Sequence, residues 1–335
     1  MGWRIWFLGC AVEGSGMIKK AGAKMVAKTV VIAGSVHGAL AEAVAAELGC
    51  GVVWPEVLKF PSGEMGVVVE GELRDVRAVM VQGFVGDVQA ALMEVCLLAD
   101  AVRRCGANEV ILVAPYLPYG RADKPWAGYA LAAEVVAKML GAAGVDRVVT
   151  LEPHSARVVA AYAGADTPEL VVVPQVEIFT PVVAAALGDM AREVCVVAPD
   201  AGAAERAGAL RDGLVAAWGG DVRLVVMDKV RGVDGAVQKM RVGDEVAGRQ
   251  VVVVDDMVDT AGTLVAVVDA LRSAGAAEVS VVAAHGILSG EALRRLMGMG
   301  LAHLWLSDSL PIAEEVRVLR GLGVVPTAAA LVAAL

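Results

Sequence analysis

The stretch Val251-Val-Val-Val-Asp255-Asp256 limits the fold more than any other part of the chain. Four consecutive β-branched residues have no polar face, so a strand built from them must be covered on both sides. The chain then runs through Asp259-Thr260-Ala261-Gly262-Thr263 into a segment with Leu264, Val265, Val267, Val268 and Leu271 at helical spacing. Other apolar runs, such as Thr29–Gly34, Ile111–Ala114 and Val171–Val173, alternate with helical patterns along the chain. Fully apolar strands separated by helices imply an α/β protein with parallel sheets flanked by helices. A membrane reading of the same runs fails on length. Stretches such as Val251–Val254 or Val171–Val173 stop at a charge or a proline well short of the roughly 20 residues that a spanning helix needs.

The pattern occurs twice. Asp100-Ala-Val-Arg-Arg-Cys-Gly-Ala-Asn-Glu-Val matches Asp269-Ala-Leu-Arg-Ser-Ala-Gly-Ala-Ala-Glu-Val, each a helix end, a Gly C-cap signal and an entry into a buried strand. Arg77–Gln82 corresponds to Gln250–Asp255, and Thr29–Leu48 to Glu193–Leu214. Partners lie roughly 170 residues apart, about one domain, so the chain reads as a tandem duplication. The division expected is a domain over 29–170 and a second over 171–335, with residues 1–28 as a poorly structured extension or start-site artefact and Met25 as another start. The closing segment is expected to hold strands around Leu304–Leu306 and Val316–Leu319 and a last helix, and to pack partly on the first domain.

Composition narrows the function classes. Of 335 residues, 57% are hydrophobic and 20% charged, which excludes a disordered chain. A net charge of -9 argues against nucleic acid, whose phosphates select basic faces. Cys10, Cys50, Cys96, Cys105 and Cys195 are odd in number and never spaced as metal ligands, so they read as thiols of a reducing cytoplasm. No membrane or nucleic-acid partner is expected.

The strongest chemical signal returns to the opening stretch. Its strand delivers Asp255 and Asp256 to a C-terminal end, where open α/β sheets bind ligands. Backbone N–H groups at the following helix start, with the Thr260 and Thr263 hydroxyls, suit a phosphate dianion. Ala261 and Gly262 allow the phosphate close to the backbone. The carboxylates suit the vicinal hydroxyls of a ribose. No Lys follows the glycine, so this is not a nucleotide P-loop. Simple capping explains one or two of these residues, but not an acidic pair, a third Asp and two Thr around one glycine. The equivalent first-half stretch, Gln82-Gly83-Phe84-Val85-Gly86-Asp87, lacks these groups. The first half is therefore expected to keep the fold without a sugar site.

The Asp255–Thr263 segment resembles the phosphoribosyl diphosphate-binding loop of type I phosphoribosyltransferases and of ribose-phosphate diphosphokinases. An ordered series favours the diphosphokinases: Phe60-Pro-Ser62-Gly63-Glu64, Pro115-Tyr-Leu-Pro-Tyr-Gly-Arg121-Ala-Asp123, Asp146-Arg-Val-Val-Thr-Leu-Glu-Pro-His154-Ser, Pro199-Asp200-Ala-Gly-Ala-Ala-Glu-Arg206-Ala, Asp228-Lys229-Val-Arg231 and His285-Gly-Ile-Leu-Ser-Gly290. The family's acidic residue is Ser62 here, its Gln is Ala122, and its basic stretch after Asp123 is replaced by Lys124-Pro-Trp126-Ala-Gly-Tyr129.

The resemblance implies two type I phosphoribosyltransferase-like domains and transfer of diphosphate from ATP to ribose 5-phosphate. It assigns the sugar phosphate to Asp255, Asp256 and Asp259 through Thr263, and Mg²⁺ to His154 and Asp200. Lys229 and Arg231, expected in a Gly-bearing loop, would be the catalytic cations. Phe60, Ser62, Gly63, Glu64, Arg121 and Asp123 would meet the nucleotide, Phe60 and Glu64 from a neighbouring subunit of a homo-oligomer, hexameric by resemblance. Two alternatives stay open: a phosphoribosyltransferase using the same loop, and a catalytically weak regulatory paralogue, which the changes at Ser62, Ala122 and Lys124–Tyr129 would suit.

Overall fold

The computed structural model describes residues 28–188, 193–231, 237–242 and 244–335. The expectations for the N-terminal extension therefore lie outside the described residues, as do the side chains of Lys229 and Arg231. The first half contributes β1 (Lys28–Ala33), α1 (Gly38–Leu48), β2 (Val52–Val53), β3 (Glu56–Lys59), β4 (Met65–Val68), β5 (Val76–Val81), α2 (Val88–Arg104), β6 (Glu109–Val113), α3 (Ala132–Ala142), β7 (Arg147–Leu151), α4 (Ala156–Ala161) and β8 (Glu169–Val173). The second contributes α5 (Gln175–Leu187), β9 (Val194–Ala198), α6 (Ala204–Trp218), β10 (Arg223–Val226), β11 (Asp228–Arg231), β12 (Val237–Arg241), β13 (Gln250–Val258), α7 (Gly262–Ser273), β14 (Glu278–Gly286), α8 (Ala292–Met299), β15 (Leu304–Ser307), β16 (Leu322–Val325) and α9 (Ala328–Ala333).

The two large sheets repeat one topology. The first runs β2-β1-β5-β6-β7-β8 and the second β10-β9-β13-β14-β15-β16, with every pairing parallel. Each carries one antiparallel hairpin at the same place in its order, β3 with β4 and β11 with β12. This is the duplication read from the helix-end repeats. The division at 170 falls inside β8, and the chain leaves the first sheet at Pro174, which caps α5.

Central strands are buried on both faces, as their unbroken Val runs require; all of Val194–Ala198 is buried. Alternate residues serve different cores. Ile32, Met80 and Leu112 face α2 and α3, while Val31, Val79 and Ile111 face a cluster shared by both halves. That shared cluster also takes Val196, Val252 and Val254 from the second sheet and Leu40, Phe179, Leu214 and Leu331 from α1, α5, α6 and α9. The opposite face of the second sheet packs on α7 and α8. The middle helices are exchanged. The helix α5, which follows the first sheet, packs on α6 of the second half, and α9, which follows the second sheet, packs on α1 of the first. Guanidinium groups of Arg77 and Arg147 also hold the Leu335 carbonyl, at 3.4 and 3.0 Å. The tail thus packs on the first domain.

Two local expectations change. Residues 316–319 are not a strand: Glu314–Val316 is a 3₁₀ turn, and the last strand is β16. Val316 and Leu319, three apart, turn inward together while Val318 between them is 71% exposed, which is helical rather than alternating order. Lys229 and Arg231 lie on the paired strand β11, not in a loop.

Candidate functional site

Each sheet ends where a loop must turn into a helix, and the second sheet's strand ends meet the first sheet's β7 end across a cleft of about 1040 Å³. Its walls bring together Arg121, Asp123, His154, Asp200, Asp255, Asp256 and the run Asp259–Thr263. These expected site residues are separated by up to 142 positions, from Arg121 to Thr263, yet share one cavity. Phe60, Ser62, Gly63 and Glu64 do not line it. They form the exposed tip of the β3–β4 hairpin, closed by the Phe60 N–H to the Glu64 carbonyl at 2.9 Å.

The floor is the acidic pair. Asp256 is 5% exposed and Asp255 35%, so Asp255 is the carboxylate presented to a ligand. Asp256 is committed to the protein: its Oδ2 lies 2.6 Å from His154 Nδ1, and Arg206 Nη1 lies 3.8 Å from its Oδ1. Burial works to raise Asp256, but the His154 hydrogen bond and the Arg206 charge outweigh it and hold the group low. Burial, then the adjacent Asp256 charge, pushes Asp255 up. The Asp256 hydrogen bond raises His154 against the opposing effect of burial.

Arg206 and Glu152 complete this floor, and neither was assigned a role from the sequence. Arg206 donates from Nε to Glu152 Oε1 at 3.2 Å and from Nη2 to the His154 carbonyl at 3.3 Å, and its Nη1 lies 3.7 Å from Asp255. Glu152 Oε2 accepts the Gln175 N–H at 3.0 Å, and the Glu152 carbonyl lies 3.1 Å from His285 Nε2. Glu152 adopts φ 39, an uncommon conformation for a residue with a side chain, and the contacts from three elements hold it there. The available signal was weak: an Arg six residues beyond Asp200 and a Glu ahead of Pro153.

The anion wall follows β13. Ala261 takes a left-handed conformation, φ 60 and ψ 10, immediately before α7. That turn exposes the first N–H groups of α7, which have no partner within the helix. Arg295 Nη1 bonds the Thr260 carbonyl at 2.7 Å and adds positive charge behind the loop. Asp259 accepts from Ser289 and, at 2.6 Å, from Arg121 of the first half. Burial would raise Asp259, but those two donors hold it low. The arrangement offers a dianion amides and a nearby guanidinium, with carboxylates set apart for hydroxyl groups.

A divalent cation fits this donor set only in one way. Among the described residues, no three His, Cys, Asp or Glu side chains converge as a closed metal cage. Asp256 orients His154 through Nδ1, the usual arrangement behind a metal-binding imidazole, and leaves Nε2 as the nitrogen for a ligand. Asp200 caps Gly202 and Ala203 through Oδ1 at 2.9 and 3.2 Å. One imidazole and one carboxylate suit a cation that keeps water and borrows phosphate oxygens, as Mg²⁺ does with polyphosphates.

Comparison with known proteins gives the same picture. A family model described as the N-terminal domain of ribose phosphate pyrophosphokinase matches residues 29–144, and a phosphoribosyl transferase domain model matches residues 179–295. A ribose-phosphate pyrophosphokinase of Bifidobacterium longum is 34% identical over 295 residues, covering 86% of this chain and 83% of that protein. One from Streptomyces avermitilis is 32% identical and covers 93% of each. The crystal structure of phosphoribosylpyrophosphate synthetase from Mycobacterium smegmatis superposes with a TM-score of 0.82 at 30% identity, covering 91% of this chain and 97% of that one.

Proposed function

The chain belongs to the ribose-phosphate pyrophosphokinase family, and from that premise we infer how its cleft moves the diphosphoryl group of ATP onto ribose 5-phosphate. The products are 5-phosphoribosyl 1-diphosphate and AMP. The anomeric oxygen bonds to the β-phosphorus, the bond from that phosphorus to the α–β bridging oxygen breaks, and the hydroxyl proton is released. Such transfers are catalysed by positioning and by neutralising charge rather than by a covalent enzyme group.

The observation that carries this reading is the junction of β13 and α7. One strand end offers Asp255 for the sugar hydroxyls, and the turn Asp259–Thr263 offers amides and hydroxyls for the 5-phosphate a few residues later. Asp256 then acts as the positioning carboxylate for His154 rather than as a sugar contact of equal standing. Arg206 keeps two adjacent carboxylates from repelling each other apart. Mg²⁺, held by His154 and Asp200 with phosphate oxygens, would supply charge neutralisation on the polyphosphate. Arg121 and Asp123 approach the same cleft from the first half, where the nucleotide would enter. Lys229 and Arg231, on the hairpin that follows β10, would bring cations to the transferring phosphates.

The exposed Phe60–Glu64 tip cannot serve its own chain's cleft from where it stands outside the lining. It fits a nucleotide contact made in a neighbouring copy, so the working unit is a homo-oligomer in the cytoplasm. No described helix is long and apolar enough to cross a membrane. The deciding assay is AMP formation from ATP by purified protein, expected to require both ribose 5-phosphate and Mg²⁺. AMP release without the sugar, or transfer of a nucleobase onto phosphoribosyl diphosphate instead, would overturn the assignment.

A further inference from the structure

We propose that the segment joining β14 to α8 braces the phosphate turn, with Arg295 and Ser289 as positioning residues that set sugar affinity without touching the sugar. The inference rests on the diphosphokinase reading above and deepens it, since the turn concerned is the one assigned to the 5-phosphate. Three successive residues of the turn are tied to this one segment. The Leu288 N–H donates to the Val258 carbonyl at 3.0 Å, the Ser289 hydroxyl donates to Asp259 Oδ1, and Arg295 Nη1 donates to the Thr260 carbonyl at 2.7 Å. Val258, Asp259 and Thr260 line the cleft, whereas Leu288, Ser289 and Arg295 lie outside its lining. The ties thus hold the turn from behind.

Peptide geometry converts these ties into an orientation. No peptide bond among the described residues is cis, so each carbonyl points opposite to the N–H of the residue that follows. Drawing the Thr260 carbonyl back onto Arg295 turns the Ala261 N–H the other way, toward the cleft. The Leu288 tie on Val258 does the same for the Asp259 N–H. Both ends of the brace are strained. Ala261 holds φ 60 and Leu288 φ 54, conformations that side chains disfavour and that persist only where the surroundings enforce them. Leu288 is anchored by packing on the core beneath α7 and α8. Arg295 is fixed by its helix, because Ala292, Leu296 and Met299 bury one face of α8 in that same core. An added Cβ at Gly262 would come 3.7 Å from Arg295 Nη1, so the guanidinium lies against the turn itself.

The test uses the full-length protein and separates sugar binding from turnover. Arg295→Ala should raise the KM for ribose 5-phosphate about 10-fold or more, the factor for misaligning one amide bond to a charged group. Its kcat at saturation should stay within about threefold and its KM for ATP within about twofold, the pattern of lost uniform binding. Ser289→Ala removes no charge, yet should raise the same sugar KM by roughly 2- to 12-fold, the range for one neutral hydrogen bond. Raising salt from about 0.05 to about 0.5 M should leave the ratio of sugar KM between Arg295→Ala and wild type within about twofold, because salt screens distant charges rather than a bond that orients a turn. An unchanged sugar KM in either mutant would overturn the proposal. So would a ratio that collapses to one at high salt, which marks simple attraction of the phosphate by Arg295. An equal rise for ATP and sugar in Arg295→Ala would overturn it too, as the mark of a loosened fold. If Arg295→Ala does not fold, Ser289→Ala decides alone. If the wild type forms no AMP, the diphosphokinase reading fails, and calorimetric titration with ribose 5-phosphate still reads the brace: weaker binding in the mutants upholds it, equal binding overturns it.

Discussion

At Gly262 a single missing methyl separates two roles that a glycine can play. Its φ is not left-handed, and an added Cβ would sit 3.7 Å from both Arg295 Nη1 and Thr260 Oγ1, ordinary contact. The fold therefore accepts a side chain here, and the proposed phosphate contact is what calls for a small residue. Gly262→Val should keep its melting temperature within a few degrees while the KM for ribose 5-phosphate rises at least about 10-fold, the cost of one charge-assisted amide bond. An unchanged sugar KM would remove the loop from the site. His285 tests the floor. It is buried, and Glu152's carbonyl can only accept, so Nε2 carries the proton and the Ser309 hydroxyl lies 2.9 Å from Nδ1. Burial lowers its pKa from 6.5 to about 4. Unfolded chain binds this proton below pH 6.5 while folded protein resists it until about pH 4. Stability should therefore fall as pH drops through that window, by about 3 kcal/mol in all. His285→Asn should lose this part of the slope, shrinking its deficit against wild type by about 2 kcal/mol between pH 7.5 and 5 in denaturant unfolding. Parallel pH profiles would refute it. At this scale the sequence showed clustered chemistry well: Asp255, Thr260, Gly262 and Thr263 lie within nine residues on one strand-to-helix turn. It hid Arg206 and Glu152, which are solitary and meet only when the halves close.

The elements were legible where burial alone sets the pattern. Strands such as β9 and the Val251–Val254 part of β13 are apolar on both faces, so their runs need no partner to be recognised. The last strand was not. Its Leu322-Gly323-Val-Val is short and carries a turn-like glycine, whereas Val316 and Leu319 carried the hydrophobic signal but belong to a 3₁₀ turn. The exchange of α5 and α9 was equally hidden, because an apolar helix face does not state which sheet it covers. That exchange has a consequence for folding. Leu331 of α9 is fully buried in the shared core, and α9 rests on α1 at the other end of the sequence. Leu331→Ala should destabilise the protein by about 2–5 kcal/mol. The loss should appear in the first half: amide exchange in α1 should quicken at least as much as in α7, which packs on the opposite face of the second sheet. Faster exchange confined to the second half would mean that α9 is not a support of the first.

Across the whole molecule, the duplicated halves have diverged into complementary parts. In the first half the position equivalent to Asp255 is Gln82, whose Oε1 accepts the Val36 N–H at 3.1 Å, and Glu94 accepts the Ser35 N–H at 2.7 Å. Side chains thus fill the strand ends that the second half keeps open. What the first half still presents is Arg121 and Asp123 inside the cleft and Phe60 at 47% exposure on a hairpin outside it. If that hairpin serves a neighbour, each active site draws on two chains. Phe60→Ala then raises the ATP requirement, and because the ring is exposed it should do so without unfolding the protein. Lys229→Ala removes a cation expected from the same chain as the sugar loop, and should lower kcat far more than substrate affinity. Each mutant alone lacks one part at every site. In a mixed oligomer some sites pair an intact Phe60 with an intact Lys229 across one interface. Mixing the two proteins under conditions of subunit exchange should therefore restore activity, up to about a quarter of wild type for random two-chain sites. Exchange demonstrated by labelled subunits with no recovery would refute the shared site, as would a fully active monomer at assay concentration.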